Sequence, residues 1–244
     1  MFLHYKIDYK GPIECQGDMD QFDVDILYNL KYKTNNICKK YADEVIDIVS
    51  SKIDIDYISK QDVRFKEYIV NNTKDKEFHK FFFNHKNEHY RKELARNKHI
   101  DDNMQLKLAG ESKMVRDRLA GNQSLCLSVQ WLLSCGKAEN AIVRRVLAGN
   151  KSLNHAIQVF MTNDESYLVR ARLANNQNIC KSAQIILTND KDDEVRVYLA
   201  NNASIDPYVQ NILSVDNDSY VRAVLYRNPS LDKNIKLMME KKGF

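Results

Sequence analysis

The stretch VRRVLAGNKSL (Val143–Leu153) is restated along the chain as VRDRLAGNQSL from Val115, VRARLANNQNI from Val169, VRVYLANNASI from Val195 and VRAVLYRNPSL from Val221. A sixth version, YRKELARNKHI, opens at Tyr90, and successive starts lie 25, 28, 26, 26 and 26 residues apart. A fixed period of this length marks a repeat solenoid, in which each unit is one supersecondary element that buries its apolar face against the next.

Taking the initial Val as position 0, positions 0, 4 and 5 (Val169, Leu173 and Ala174 in one copy) share a side of a first helix, and the small Ala lets a neighbour come close. Position 7 is Asn in all six copies: Asn97, Asn122, Asn150, Asn176, Asn202 and Asn228. Before it stand Gly121, Gly149, Asn175 or Asn201, residues that tolerate left-handed backbone angles, so the first helix is expected to stop there in that conformation. Ser124, Ser152, Asn178, Ser204 and Ser230, two residues on, are expected to cap the second helix. That helix carries apolar residues at positions 10, 14, 17 and 18, such as Leu153, Ile157, Phe160 and Met161, expected to face the stack.

In the same register FKEYIVNN (Phe65–Asn72) is a divergent seventh copy over 65–89, with clear repeats over 90–244 and a solenoid over 63–244. Residues 1–62 are expected to form a small N-terminal cap, with a short strand where Leu3, Tyr5, Ile7 and Tyr9 alternate with polar residues, and helical stretches near 19–32 and 37–50.

The phrase VR-x-x-LA-x-N-x-S-L, followed by a helix and a TND or SVD turn, resembles the leucine-rich repeat variant family and, more distantly, HEAT-like repeats, over about 90–244. The resemblance implies an all-α, right-handed α-solenoid of short helix pairs of about 26 residues, stacked into a curved superhelix. The founding type of that family resembles an iron–sulfur protein, but only Cys15 and Cys38 lie in the N-terminal region here, short of the four thiolates a cluster requires. No cofactor is expected. HEAT-like architecture is also that of alkylpurine DNA glycosylases; this chain, with Trp131 as its single tryptophan, has no Asp-Trp-Trp-like cluster for their chemistry.

At 43% hydrophobic and 29% charged residues the chain has the composition of a globular protein with a core. Residues 1–89 hold 14 Lys/Arg against 16 Asp/Glu, whereas 90–244 hold 23 against 17, so the repeats carry +6. Five scattered cysteines without a CxxC pair, and the absence of a secretory leader, point to a reducing cytoplasm, and no apolar run approaches the ~20 residues of a membrane span. Richness in Asn, Lys, Ile and Tyr is the composition of an AT-rich genome, such as that of a phage or a low-GC bacterium.

Several columns are candidates for function. Arg91, Arg116, Arg144, Arg170, Arg196 and Arg222 could hold phosphates, but Asp164, Asp190 and Asp216 sit six residues before Arg170, Arg196 and Arg222, the spacing at which HEAT-like repeats resemble an Asp–Arg ladder. A structural ladder is the preferred reading. Position 15 holds Gln105, Gln130, Gln158, Gln184 and Gln210, then Lys236, with Lys80 in the divergent copy. Amides both donate and accept, so this row either bridges repeats or reads a partner in a groove. Arg118, Arg145 and Arg172 add charge to the first helices, Lys98, Lys151 and Lys181 lie near the inter-helix turns, and Tyr198, Tyr220 and Tyr226 serve packing or stacking. His85-Lys86-Asn87-Glu88-His89 matches H-x-x-E-H, a zinc signature that needs one continuous helix, whereas the register puts it in a connection. No GxSxG or GxxxxGK occurs, so no catalytic residue and no metal are assigned. Met238 and Met239 end the last repeat, which is expected to leave that end of the stack open as an interface. The sequence therefore predicts a non-enzymatic module holding a protein or peptide on its curved surface; the alternative is a nucleic-acid-binding HEAT-like protein, distantly similar to the glycosylases, with a basic concave face, and a metal-dependent hydrolase through His85, Glu88 and His89 ranks third.

Overall fold

The computed structural model describes residues 55–60, 63–135 and 141–243, and Ile55–Phe244 forms one compact unit. The expected strand and helices of the N-terminal cap lie outside the described residues. Among those described, all regular structure is helical, and neighbouring helices pack in sequence order as in an α-solenoid. The helices are α1 (Ile55–Lys60), α2 (Val63–Asn72), α3 (Lys76–Phe83), α4 (Glu88–Leu94), α5 (Asp102–Ala109), α6 (Lys113–Ala120), α7 (Leu127–Ser134) and α8 (Ala141–Ala148). They continue as α9 (His155–Met161), α10 (Tyr167–Ala174), α11 (Lys181–Leu187), α12 (Asp193–Ala200), α13 (Pro207–Leu213), α14 (Ser219–Arg227) and α15 (Lys233–Lys241). Even-numbered helices from α4 are the first helices of the clear repeats, odd-numbered ones from α5 the second.

Helices of two turns are unstable alone, so this fold depends on what each buries. First helices pack on first helices of adjacent repeats, and second helices lean on both rows. Val115, Val143, Val169, Val195 and Val221, with the Leu four residues after each, are essentially inaccessible. Burying one such side chain favours the fold by roughly 1.5–3 kcal/mol. Ala at position 5 is likewise buried in Ala95, Ala120, Ala148, Ala174 and Ala200, which brings successive first helices close.

Three local expectations are corrected. Gly121, Asn175 and Asn201 close the first helices in right-handed conformation, and Gly243 alone among the described residues has a positive φ. The second helix is capped at position 11 rather than 9: Asp101, Asn154, Asp206 and Asp232 accept amide hydrogens from their own first turns, and Cys126 and Cys180 hold the same place without a side-chain bond. Position 17 also leaves the core. Leu132, Phe160 and Ile186 are exposed, because the buried stripe runs through positions 14, 15, 18 and 19, as Ile157, Gln158, Met161 and Thr162 illustrate.

At the C-terminal end the last repeat departs from the others, and Leu237 on its second helix is exposed. Position 5 of the last repeat is Tyr226, whose hydroxyl donates to Glu240 Oε1 at 2.9 Å, and Lys236 Nζ lies 5.0 Å from its ring centroid. Met239 is buried and Met238 half-buried. A tyrosine thus stands where the five other clear repeats have Ala95, Ala120, Ala148, Ala174 and Ala200.

Candidate functional site

The repeated polar residues form three ladders that run inside the stack. In the first, Asn176 Nδ2 donates to Ala148 O at 2.9 Å and Asn150 O at 3.0 Å in the preceding repeat, while its Oδ1 accepts from Asn178 N at 2.9 Å. Asn122, Asn150, Asn202 and Asn228 repeat the pattern, and Asn97 applies it to Val70 O and Thr73 O. Each of these asparagines is buried. The carbonyls they reach are those a helix end leaves without an intrahelical donor.

The glutamines form the second ladder. Gln158 Nε2 donates to Leu153 O at 2.9 Å and to Asn178 O of the next repeat at 3.1 Å, and its Oε1 accepts from Cys180 N at 2.6 Å. Gln105, Gln130, Gln184 and Gln210 make the same three bonds. All five are buried, so the row does not face a groove and its amides are already engaged. Lys80 does not stand in this column. The divergent repeat is one residue shorter before its second helix, so buried His79 takes the slot, its Nε2 2.9 Å from Thr73 O, and Lys80 is exposed and paired with Glu77 at 2.7 Å. Burial lowers the His79 pKa, partly opposed by the Thr73 hydrogen bond and by Asp101 and Asp75. Lys236 holds the slot in the last repeat and is exposed over Tyr226.

The third ladder joins Arg at position 1 to the next inter-repeat turn. Arg170 Nε and Nη2 donate to Asp190 at 2.6 and 3.0 Å, and its Nη1 donates back to Asp164 O at 2.7 Å. Arg144 pairs with Asp164 and Arg196 with Asp216 in the same fork, while Arg222 donates to Asp216 O at 2.6 Å and Arg91 meets Glu111 at 3.1 Å. The Arg170–Asp190 pair is nearly inaccessible, with side chains 6% and 4% exposed. The hydrogen bond to Asp190 raises the Arg170 pKa against the opposing effect of burial. The expected Arg and Asp columns are both present, but with a different pairing: the Asp six residues before each Arg offers its backbone carbonyl, and the ion pairs run from Arg144 to Asp164, Arg170 to Asp190 and Arg196 to Asp216, 20 residues on.

The zinc-like motif is divided. Glu88 and His89 open α4, but His85 lies in the turn before it, where its Nδ1 accepts from Asn87 N at 3.1 Å and its ring meets Tyr90 edge-on. His89 Nε2 lies 2.5 Å from Glu67 Oε1, and Glu88 pairs with Ser112. Among the described residues no group of three or more His, Cys, Asp or Glu could hold a metal ion, and Cys126, Cys135 and Cys180 are free thiols.

Two outward faces remain. On the second helices Leu132, Phe160 and Ile186 are exposed, with Trp131 edge-on to Phe160 at 5.4 Å between centroids. On the first helices Arg118, Arg145 and Arg172 are exposed and make no hydrogen bond or ion pair among the described residues. Exposed Met114, Ile142, Leu168, Tyr198 and Tyr220 accompany them. Arg145, Val146, Leu168, Arg172 and Tyr198 line a groove of about 470 Å³. Asp117, on α6, has one carboxylate oxygen buried without a hydrogen-bond partner. No helix among the described residues is long and apolar enough to cross a membrane. No family model, no curated protein and no solved structure matches the chain.

Proposed function

We propose that the protein is a non-enzymatic repeat module that holds a protein or peptide partner on its first-helix face. The observation that carries this reading is a division of labour among the polar side chains. The residues that recur from repeat to repeat are buried and bonded to one another's repeats, whereas the first-helix face varies between repeats and mixes unpaired guanidinium groups with exposed aliphatic and aromatic side chains. Repeated residues that satisfy buried backbone groups serve the stack, and varied exposed ones are free to recognise a partner. First helices also pack on one another from repeat to repeat, so their outward residues form one continuous face for a partner.

A photo-crosslinking amino acid at Tyr198, compared with one at Phe160, tests the reading in cells that express the protein. Protein crosslinks from position 198 and few from 160 are expected. Adducts mainly at 160, or none at either, would overturn it. Nucleic acid is the second reading, favoured by the alignment of Arg118, Arg145 and Arg172, and crosslinks from 198 to nucleic acid would select it.

A further inference from the structure

Resting on that reading, we infer that the groove between α8, α10 and α12 recognises an acidic protein segment in which carboxylates alternate with apolar side chains. The groove has two chemistries side by side. Arg145 and Arg172 supply exposed guanidinium groups that no carboxylate within the described residues neutralises. Val146, Leu168 and Tyr198 supply an apolar floor and wall between them. A carboxylate accepts both edges of a guanidinium, and an aliphatic or aromatic side chain one residue away covers the floor.

Arg172 is also seated. A Cβ built on Gly149 would come within 2.3 Å of Arg172 Nε and 2.9 Å of its Cζ, so the guanidinium lies folded over the end of α8 in the preceding repeat. Later repeats carry Asn175 and Asn201 at this position, and only a glycine lets the guanidinium rest this close. A long side chain held in place loses less conformational entropy when a partner arrives.

The groove favours a peptide over a phosphate backbone. Nucleic-acid stacking calls for a row of planar groups, whereas Tyr198 is the one aromatic residue lining the groove and its other apolar lining is the aliphatic Val146, Leu168 and Ala171.

The test is selection of a phage-displayed random twelve-residue peptide library on the immobilised full chain. It is followed by anisotropy of the enriched peptides, and of a labelled twenty-nucleotide single-stranded DNA, against wild type and three variants, Leu168→Asp among them. Gly149→Ala removes the seat without changing any charge, and the atoms its added methyl meets first are those of the Arg172 guanidinium, which can swing out to solvent while the fold is kept. Arg145→Glu with Arg172→Glu reverses the charge at two exposed positions. Enriched peptides are expected to be net negative with interspersed Leu, Phe or Trp, to bind at least tenfold more weakly to the double variant, and to bind severalfold more weakly to Gly149→Ala at an unchanged melting temperature. Enrichment of neutral or basic peptides that still lose binding in a Leu168→Asp variant would overturn the acidic ligand and leave the first-helix face as the docking surface. Peptides indifferent to all of these variants, or no enrichment, would overturn both. Tighter binding of the DNA, lost in the double variant, would replace the peptide with a nucleic acid.

Discussion

Replacing Asn176 by Ala removes the middle rung of the asparagine ladder. The side chain is 4% exposed and makes three bonds of 2.9–3.0 Å, two of them to carbonyls of the preceding repeat. A hydrogen bond contributes about 1 kcal/mol net, and a buried group left without a partner costs about 1–3 kcal/mol. Three bonds lost in one place, with some relaxation, give about 3–4 kcal/mol. For a unit of this size one kcal/mol lowers the melting temperature by roughly 2–4 °C, so a loss of about 6–15 °C is expected by calorimetry. Hydrogen exchange should localise the loss to amides of α8–α11. Asn176→Asp is the sharper control. It keeps the oxygen that accepts from Asn178 N but turns a donor into a carboxylate facing two carbonyls, so it should be at least as destabilising as Ala at pH 7 and should recover as the carboxyl takes up a proton. An Ala variant that melts within 2 °C of the parent, or an Asp variant as stable as Asn, would refute the reasoning.

Arg170→Ala leaves Asp190 buried without its forked partner and should cost about 3–5 kcal/mol, read as a lowered melting temperature that exceeds any effect on ligand binding. His79 is held neutral by burial, with a pKa below its ordinary value of 6.5. Between those two values the unfolded chain binds the proton and the folded chain does not, so stability is full above 6.5 and declines as pH falls below it. His79→Gln, the residue used at this slot elsewhere, should remove that part of the pH dependence; an unchanged pH profile of unfolding would count against the slot assignment. At the C-terminal end, a further repeat appended after α15 should stack only when Tyr226→Ala and Lys236→Gln are introduced with it. The measure is protection of the appended amides from hydrogen exchange, and equal protection without the two changes would show that the end is not closed.

The period and the helix pairs were legible because they are local patterns, a spacing of 3 and 4 along a helix; the offset of six residues between Asp and Arg marks only a bond to the Asp backbone carbonyl, and the carboxylates that Arg170 and Arg196 pair with lie 20 residues later. The carboxamide ladders were less legible. Asn176 looks like a helix stop from its neighbours alone, and its bonds to residues 26 and 28 positions earlier have no local trace. The same side chain explains the misplaced cap: by accepting from Asn178 N it organises a turn at position 9, and the second helix begins only after Cys180. Lys80 entered the glutamine column because a one-residue shortening before α3 shifts the register, which a straight count cannot detect. Phe160 was read as core because it is apolar and next to Met161, yet the stripe that packs includes polar Gln158 and Thr162 instead. The inward stripe combines apolar Ile157 and Met161 with polar Gln158 and Thr162, whose hydrogen bonds are satisfied inside the stack. The basic first helices were visible as charges, but that Arg172 rests on Gly149 needed coordinates.

The account's central claim is that the repeated columns hold the stack while the exposed first-helix residues are left for recognition. Thermal unfolding of Gln158→Ala beside Arg172→Glu tests it most directly. The claim predicts that Gln158→Ala, which breaks three buried bonds, melts several degrees below the parent, and that Arg172→Glu unfolds with the parent. A stable Gln158→Ala protein, or an Arg172→Glu protein that loses as much as the ladder variant, would contradict it.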